Sequence, residues 1–504
     1  MSAEINTPPS RSSGTATPTA PPTSARVPYW GPTLVLLTGT FITVLDFFIV
    51  NVAVPSIERD LHTSSADIEW IVAGYAITYG SGLIIGGRLG DIYGRRRLYM
   101  IGLILFVLSS ALCGAAPNIT VLVVGRLIQG VAASLLTPQI LTIIRTVFRG
   151  PQQLRALNAY GVAMGLAAVF AQLIGGVLIQ ADPAGLTWRT CFFINVPIGI
   201  AVLTLAPKYV CESRAPGRPR LDIVGTILIA LALTAIALPL IEGRQLGWPV
   251  WSWASLAASV VLLGLFVRYE QRASRRGGPL LMDMSLFRER AFSAGLGAQL
   301  IFWTGQASYF LVFSLYIQFG RGLDALGAGL IFMPIGVGYM LTSTTARFVA
   351  AKIGRQVIAL GGALRIVGLL LLILALVKIG DSGNIGWLVP ALVIDGAGQG
   401  LAIAPLATTV LSRVTPQHAG AASGVLTTGI QFGNALGVAV VGVIFYGVLN
   451  HERGANVYAH AFAYSLIYGI FAAVLLTLLV QLLPRTPGGA KPRSGQTAKP
   501  GAAG

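Results

Sequence analysis

Long runs without a charged residue are what most constrain how this chain can fold. Residues 71–87 and 100–116 contain no charge, and they flank RLGDIYGRRRLY at 88–99, which carries one aspartate and four arginines. Only 11% of the 504 residues are charged and 54% are hydrophobic, whereas a soluble domain has about 25% charged residues. The apolar runs, about 17–25 residues long, suffice for a helix to cross a bilayer core of roughly 30 Å. We therefore expect a polytopic membrane protein.

Hydropathy windows of about 19 residues indicate fourteen candidate spans. Because the backbone finds no water in lipid, each span must be helical, and the expected fold class is all-α. The spans lie near 33–54, 70–89, 98–116, 119–142, 157–180, 190–207, 222–241, 252–267, 292–318, 325–346, 356–377, 385–411, 419–446 and 461–483. An even number of spans places both termini on the same side of the membrane.

Lysine and arginine are distributed unequally between alternating loops. The loops after the even-numbered spans are basic, for example at Arg95, Arg96 and Arg97. The loops after the odd-numbered spans hold at most one basic residue each. Because basic loops stay in the cytoplasm, we predict a plasma-membrane protein with both termini cytoplasmic. Topology and anionic lipid headgroups then account for the net charge of +17, and no nucleic-acid partner is expected.

The charged segment matches a known loop motif. GRLGDIYGRRR at 87–97 resembles the major facilitator superfamily motif glycine–x–leucine–x–aspartate–x–x–glycine–arginine–arginine. We name as the latch loop its residues Gly87, Asp91, Gly94, Arg95 and Arg96. The arginines can pair with Asp91, with acids of neighbouring loops or with helix carbonyl ends, and we interpret these contacts as a latch between two conformations. The alternative is that the arginines only fix topology.

Three further segments resemble motifs of the fourteen-span drug:proton antiporters in that superfamily. They are LDFFIVNVAVPSI at 45–57, with Asp46, Asn51 and Pro55 in register, GRLIQGVAASLLTP at 125–138, with Arg126, Gln129 and Gly130, and WRTCFFINVPIG at 188–199. The resemblance implies a major facilitator fold of two six-helix halves plus two inserted central helices. It also implies export of lipophilic or cationic organic compounds, such as drugs and antibiotics, by proton antiport with alternating access.

The fifth span departs from the antiporter pattern. GVAMGLAAVFAQLIGG at 161–176 keeps Gly175 and Gly176, but Ala171 and Gln172 stand where the family has glycine and proline. Small residues still permit close helix packing, while the kink that proline imposes is missing. A same-fold importer, or a transporter of one endogenous metabolite with different coupling, therefore stays open.

A weak internal repeat indicates how the chain is organised. Gly94-Arg95 follows the second span and Gly354-Arg355 follows the tenth in a similar setting, and transport proteins often contain such repeats. We expect a disordered cytoplasmic N-terminus at 1–28, a six-helix bundle at 29–207, two inserted spans with linkers at 208–291, a second six-helix bundle at 292–484 and a disordered cytoplasmic tail at 485–504.

Charges inside the spans are candidates for function, because a charge at the bilayer centre costs about 2.5–3.5 kcal/mol. Asp46 and Arg126 are expected at a similar depth of the first half. Desolvation favours a neutral carboxyl group, and a nearby guanidinium favours the carboxylate. We therefore predict that Asp46 binds and releases a proton and that Arg126 tunes this exchange. A static pair that fixes helix packing is the alternative.

The second half holds its own candidates. Arg365 and Asp395 are expected near the midplane, either as a structural pair or as a substrate or proton site. An aromatic wall suited to bulky apolar or cationic molecules is a candidate substrate path, although such residues can instead face lipid or another helix. Its members are Trp303, Gln306, Tyr309, Phe310 and Phe313, joined by Tyr75 and Tyr79 of the second span.

Other classes of protein find little support. The sequence has no G-x-x-x-x-G-K-[ST] phosphate loop and no HExxH, and the largest central loop, about 268–291, is too short for a nucleotide domain. We therefore expect neither an enzyme nor an ATP-driven pump, and no cofactor or metal. The expected partners are a small organic substrate, protons and membrane lipids, with the protein as a monomer. A non-transporting sensor on the same fold stays open.

Overall fold

The computed structural model describes residues 30–148, 150–214, 222–276, 278, 280, 284–411, 419–452 and 454–483. The termini predicted to be disordered, 1–28 and 485–504, lie outside these ranges. Every regular element in the described ranges is helical, which confirms the all-α prediction.

The α-helices of the described residues are named in chain order. They are α1 (Trp30–Leu61), α2 (Ser65–Tyr93), α3 (Arg95–Gly114), α4 (Ile119–Val147), α5 (Pro151–Ala181), α6 (Thr190–Phe193), α7 (Asn195–Tyr209), α8 (Ile223–Gln245), α9 (Val250–Arg275), α10 (Arg290–Leu315), α11 (Ala325–Ser343), α12 (Ala346–Ile353), α13 (Gln356–Ile379), α14 (Val389–Leu411), α15 (Ala419–His451) and α16 (Val457–Val480). Short 3₁₀ segments precede α6, α10 and α14, and a π-helical turn, Tyr316–Gly320, extends α10.

Thirteen helices of the described part are long and apolar enough to cross a membrane, or fourteen if α2, which bends by 46°, counts as one span. Each falls on a predicted span, with α6 and α7 together forming the sixth. Most helices extend beyond the predicted ends. The chain is therefore a multi-pass membrane protein.

Side-chain caps start several helices at the end opposite the basic loops. At α2, Ser64 Oγ accepts from Asp67 N while the Asp67 carboxylate accepts from Ser64 N, which forms a capping box. Asn118 Oδ1 accepts from Val121 N at 3.0 Å to cap α4. These polar residues satisfy backbone N–H groups that the helices leave unpaired.

The helices form two bundles with a seam between them. α1–α7 pack mainly on one another, as do α10–α16. The bundles meet where α1 contacts α10, α2 contacts α15 and α5 contacts α11. α8 lies against α2 and α15, and α9 packs on α8, so the two additional helices lie beside the seam.

The seam is closely packed where α5 meets α11 and where α1 meets α10. A Cβ atom on Gly329 of α11 would lie 2.7 Å from Gln172 O and 2.9 Å from Leu173 Cα of α5, so a side chain there would push the helices apart. Ser314 Oγ of α10 donates to Asn51 O of α1 at 2.7 Å. Backbone and small side chains therefore make much of the contact between the bundles.

The accessible cysteine offers a test of the predicted orientation. Cys211 is exposed in the loop after α7, whereas Cys113 and Cys191 are buried. If the basic loops are cytoplasmic, a membrane-impermeant maleimide will label the protein in inverted membrane vesicles and not in intact cells. Cys211→Ser should lose the label, and labelling of intact cells would contradict the predicted topology.

Candidate functional site

Asp46 of α1 and Arg126 of α4 form an ion pair inside the first bundle. Arg126 Nη1 lies 2.5 Å from Asp46 Oδ2, and both side chains are completely buried. Arg126 Nε also donates to Ile71 O of α2 at 3.0 Å. The pair therefore joins three helices, α1, α2 and α4.

Neutral polar side chains complete the hydrogen bonding of the pair. Gln129 Nε2 and Asn195 Nδ2 each donate to Asp46 Oδ1 at 2.8 Å. Gln129 Oε1 accepts from Arg126 Nη1 at 2.7 Å, and Gln129 Nε2 also donates to Ser110 Oγ at 2.7 Å. Buried charges need such additional partners because water no longer solvates them. Side chains of α4 and α7 thus bond to the Asp46 carboxylate of α1, and Ser110 of α3 accepts from one of them.

Aromatic rings cover the pair on the α2 side. Arg126 Cζ lies 4.3 Å from the ring centroid of Tyr75, close enough for a cation–π contact. The Tyr75 ring contacts that of Tyr79, with centroids 5.6 Å apart, and Tyr79 Oη donates to Thr137 Oγ1 at 2.8 Å. The two tyrosines assigned to the substrate path therefore lie beside the Asp46–Arg126 pair.

The latch loop forms a tight turn between α2 and α3. Arg95 donates through Nη2 and Nε to Asp91 Oδ1 at 2.8 and 3.2 Å. Gly94 has a φ of +112°, which glycine adopts without the strain that a side chain would bring. Gly87 makes a looser contact, since a Cβ atom there would lie 3.7 Å from Pro138 Cβ.

Glu212 joins the latch loop to the segment after α7. Its carboxylate accepts from the backbone N–H groups of Arg96 and Arg97, each at 3.1 Å, at the N-terminus of α3. Arg96 Nη1 lies 3.4 Å from Val210 O at the end of α7. The loop thus contacts Asp91, a neighbouring acid and a helix carbonyl end. All of these partners belong to the first bundle or the segment that follows it.

The second bundle contains its own buried charge pair. Arg365 Nε of α13 donates to Asp395 Oδ1 of α14 at 3.1 Å, with 4% and 1% of the two side chains exposed. Gln399 Nε2 donates to Asp395 Oδ2 at 2.7 Å, and Gln306 Nε2 of α10 donates to Gln399 Oε1 at 2.8 Å. An amide relay therefore connects this pair to α10.

The second half of α10 is almost entirely buried, and its aromatic residues contact different neighbours. Tyr309 and Phe313 stack on Phe462 of α16, with centroids 6.3 and 5.3 Å apart, within the second bundle. Phe310 instead contacts Phe48 of α1 at 5.3 Å and reaches the first bundle. Trp303 is 8% exposed. The predicted aromatic wall is thus divided between the seam and the bundle interior.

Gln172 of α5 lies at the same seam. Its Nε2 donates to Phe48 O of α1 at 2.9 Å, and its side chain is completely buried. The residue that replaces the proline of the antiporter motif therefore ties α5 to α1.

Four residues that share these contacts, Ser110, Asn195, Glu212 and Gln399, are not predicted as site residues from the sequence. Asn195 lies within a recognised motif, but its position along the chain does not reveal that it reaches Asp46. Amide and hydroxyl side chains carry no formal charge, so a search for buried charges passes over them. A search for Asn and Gln inside the spans would have found two of these four residues.

Comparisons with known proteins agree with this architecture. The sequence profile described as Major Facilitator Superfamily matches residues 36–438 and 295–502. Solved structures with a similar fold include a POT family transporter in complex with a thioalcohol conjugated peptide, with a TM-score of 0.65 at 15% identity over 89% of this chain and 95% of that one. A D-xylose-proton symporter has a TM-score of 0.62 at 14% identity over 91% and 99% of the two chains.

Relatives at higher identity are named as transporters or resistance proteins. The chain is 39% identical to a probable actinorhodin transporter of Streptomyces coelicolor, over 88% of this chain and 76% of the relative. It is 33% identical to a cephamycin export protein of Amycolatopsis lactamdurans, over 90% and 93%. It is 32% identical to a puromycin resistance protein of Streptomyces alboniger, over 83% and 82%. The chain therefore belongs to the major facilitator superfamily, whose members are membrane transporters and not enzymes.

Proposed function

We propose that this protein exports lipophilic or cationic organic compounds, including drugs or antibiotics, by proton antiport with alternating access. The names of its relatives support the substrate class. The observation that carries the proton coupling is the fully buried Asp46–Arg126 pair, because charges are retained inside a membrane where they serve ion or substrate movement.

Protonation of Asp46 would change the forces at this site. Ionised Asp46 attracts Arg126 directly and accepts from Gln129 and Asn195. A neutral carboxyl group loses most of the attraction for the guanidinium, which is then held by Ile71 O, Gln129 Oε1 and the Tyr75 ring. Proton binding therefore weakens the α1–α4 contact and favours a different packing of these helices.

The same helix carries that change to the second bundle. Phe48 follows Asp46 by two residues, and its ring contacts Phe310. Further along α1, the carbonyl groups of Asn51 and Val52 accept from Ser314 and Gln318. A shift of α1 at Asp46 would therefore change its contacts with α10 at the seam, where alternating access requires the two bundles to move.

The latch loop would contribute to alternating access at the end of the first bundle that carries the basic loops. Its contacts with Asp91 and Glu212 stabilise one arrangement of α2, α3 and the segment after α7. Rocking of the bundles would exchange these contacts for others, so the loop sets the balance between two states rather than binding substrate.

The first prediction concerns proton coupling. Asp46→Asn keeps the hydrogen-bonding shape but cannot ionise, so pH-driven accumulation of substrate in inverted vesicles should fall by about tenfold or more. Asp324→Asn is the matched control, because Asp324 is an exposed helix cap where asparagine serves equally well.

Undiminished pH-driven transport by the Asp46→Asn protein would remove the coupling role. Accumulation in the opposite direction, or no response to the gradient in the wild type, would favour the importer or the differently coupled metabolite transporter. The observation that keeps this second function open is Gln172, which stands where the antiport motif has proline.

The Arg365–Asp395 pair is tested by removing one or both charges. Asp395→Leu alone leaves Arg365 buried without its carboxylate and should destabilise the protein by about 3–5 kcal/mol. Arg365→Met with Asp395→Leu removes both charges and should recover most of that stability, measured by unfolding in detergent. Intact transport by the double variant would identify a structural pair, and lost transport a substrate or proton site.

The latch interpretation predicts an effect on rate rather than affinity. Glu212→Gln weakens the acceptor for the Arg96 and Arg97 N–H groups, so turnover should fall severalfold while substrate binding stays close to that of the wild type. Arg97→Gln, which lowers the loop charge by the same amount in the opposite sense, is the control. Equal effects of both variants would indicate that the loop charges serve topology alone.

A further inference from the structure

Two buried glutamines, one on α5 of the first bundle and one on α10 of the second, each leave an amide oxygen without a partner within the residues that the structure describes. Gln172 Oε1 of α5 and Gln306 Oε1 of α10 are buried and have no hydrogen-bond partner among the described residues. A buried acceptor that lacks a donor carries a free-energy penalty. If alternating access separates the two bundles, oxygens left in this state between them are candidates for ligand contacts.

The orientation of Gln306 follows from its neighbours. The Asp395 carboxylate accepts hydrogen bonds, so Gln399 presents Nε2 to it and turns Oε1 toward Gln306. Gln306 must then present Nε2 to Gln399, which leaves its own Oε1 free. The buried charge pair thus fixes a hydrogen-bond acceptor on α10 through two amides.

The orientation of Gln172 is fixed in a similar way. Phe48 O is a backbone carbonyl and can only accept, so Gln172 donates to it through Nε2 at 2.9 Å. The Oε1 atom therefore points away from this bond and has no donor in the described part of the chain.

One aromatic contact between α1 and α10 links the two glutamines. Phe48, which holds Gln172, meets Phe310 with centroids 5.3 Å apart. Gln306 follows Trp303 by three residues and precedes Phe310 by four, so these side chains share one face of α10. Separation of the bundles at this point would expose flat apolar rings close in the structure to both glutamines.

The charges near this face are balanced. Asp46 precedes Phe48 on α1 and is paired with Arg126. Asp395, at the other end of the amide relay, is paired with Arg365. Neither carboxylate presents an uncompensated negative charge to a bound cation, so the local chemistry favours a neutral ligand.

We propose that Phe48, Gln172, Trp303, Gln306 and Phe310 form a subsite for neutral aromatic compounds that carry hydroxyl or N–H donors. The ligand ring takes the place of the Phe48–Phe310 contact, and its donors bind Gln172 Oε1 and Gln306 Oε1. This inference rests on the proposed export function and narrows its substrate class. Such a site binds an analogue without donors more weakly, because the amide oxygens then stay unpaired.

The test compares three probes on purified protein in nanodiscs: a neutral fused-ring phenol with two hydroxyl donors, its di-O-methylated derivative (the methyl ether) and tetraphenylphosphonium, a cation without donors. Binding is followed by quenching of tryptophan fluorescence. The wild type should prefer the phenol to its methyl ether. Gln172→Met and Gln306→Met should each weaken phenol binding by about tenfold, the value of one lost hydrogen bond, and change binding of the other two probes little.

Gln318→Met is the matched control. Gln318 is also a buried glutamine beside α1, donating to Val52 O and Ser314 Oγ, and its Oε1 is not among the unpartnered atoms. Its loss loosens the same helix contact without removing a proposed acceptor, so it should not affect the phenol selectively. Unchanged binding of the methyl ether by the Gln172 and Gln306 variants shows that they are folded.

Equal binding of phenol and methyl ether by the wild type would overturn the subsite, as would equal weakening of both probes in the Gln172 and Gln306 variants. Selective phenol binding without pH-driven export would support the subsite and contradict the proposed function. Export without any phenol preference would contradict the subsite and leave the proposed function standing.

Discussion

The burial of opposite charges away from water is the constraint on which much of this structure depends. Asp46 and Arg126 are completely buried and 2.5 Å apart, and either charge alone would be costly in that place. Each must therefore keep its partner and the surrounding hydrogen-bond donors and acceptors, which come from several helices. The same requirement makes the pair sensitive to a proton, since neutralising one member leaves the other to be stabilised by weaker contacts.

The second bundle meets the same constraint with a different placement of charges. In the first bundle the acid lies on α1 and the arginine on α4, whereas Asp395 lies on α14 and Arg365 on α13. Both pairs recruit glutamines, and in the second bundle these reach α10. The two bundles thus present different chemistry to one another across the seam.

How far the sequence could predict the fold is clear from particular elements. The positions of α1, α4 and α13 follow from uncharged runs long enough to cross a bilayer. The shared depth of Asp46 and Arg126 follows from the helical rise. By contrast, the spacing of Tyr309, Phe310 and Phe313 predicted one aromatic wall, yet Tyr309 and Phe313 stack on Phe462 while Phe310 meets Phe48. Spacing gives the direction of each side chain around its own helix, and does not give the neighbour it meets.

The sequence by itself determined that the chain is helical, crosses the membrane many times and carries a few charges deep inside, because hydropathy and helix geometry act locally along the chain. The tertiary structure alone decided which polar groups share those charges. Asn195 reaches Asp46 from α7, Glu212 closes the turn after α2, and Gln172 bonds to the backbone of α1. These contacts join residues far apart in sequence, and they depend on how the helices rotate and pack against one another.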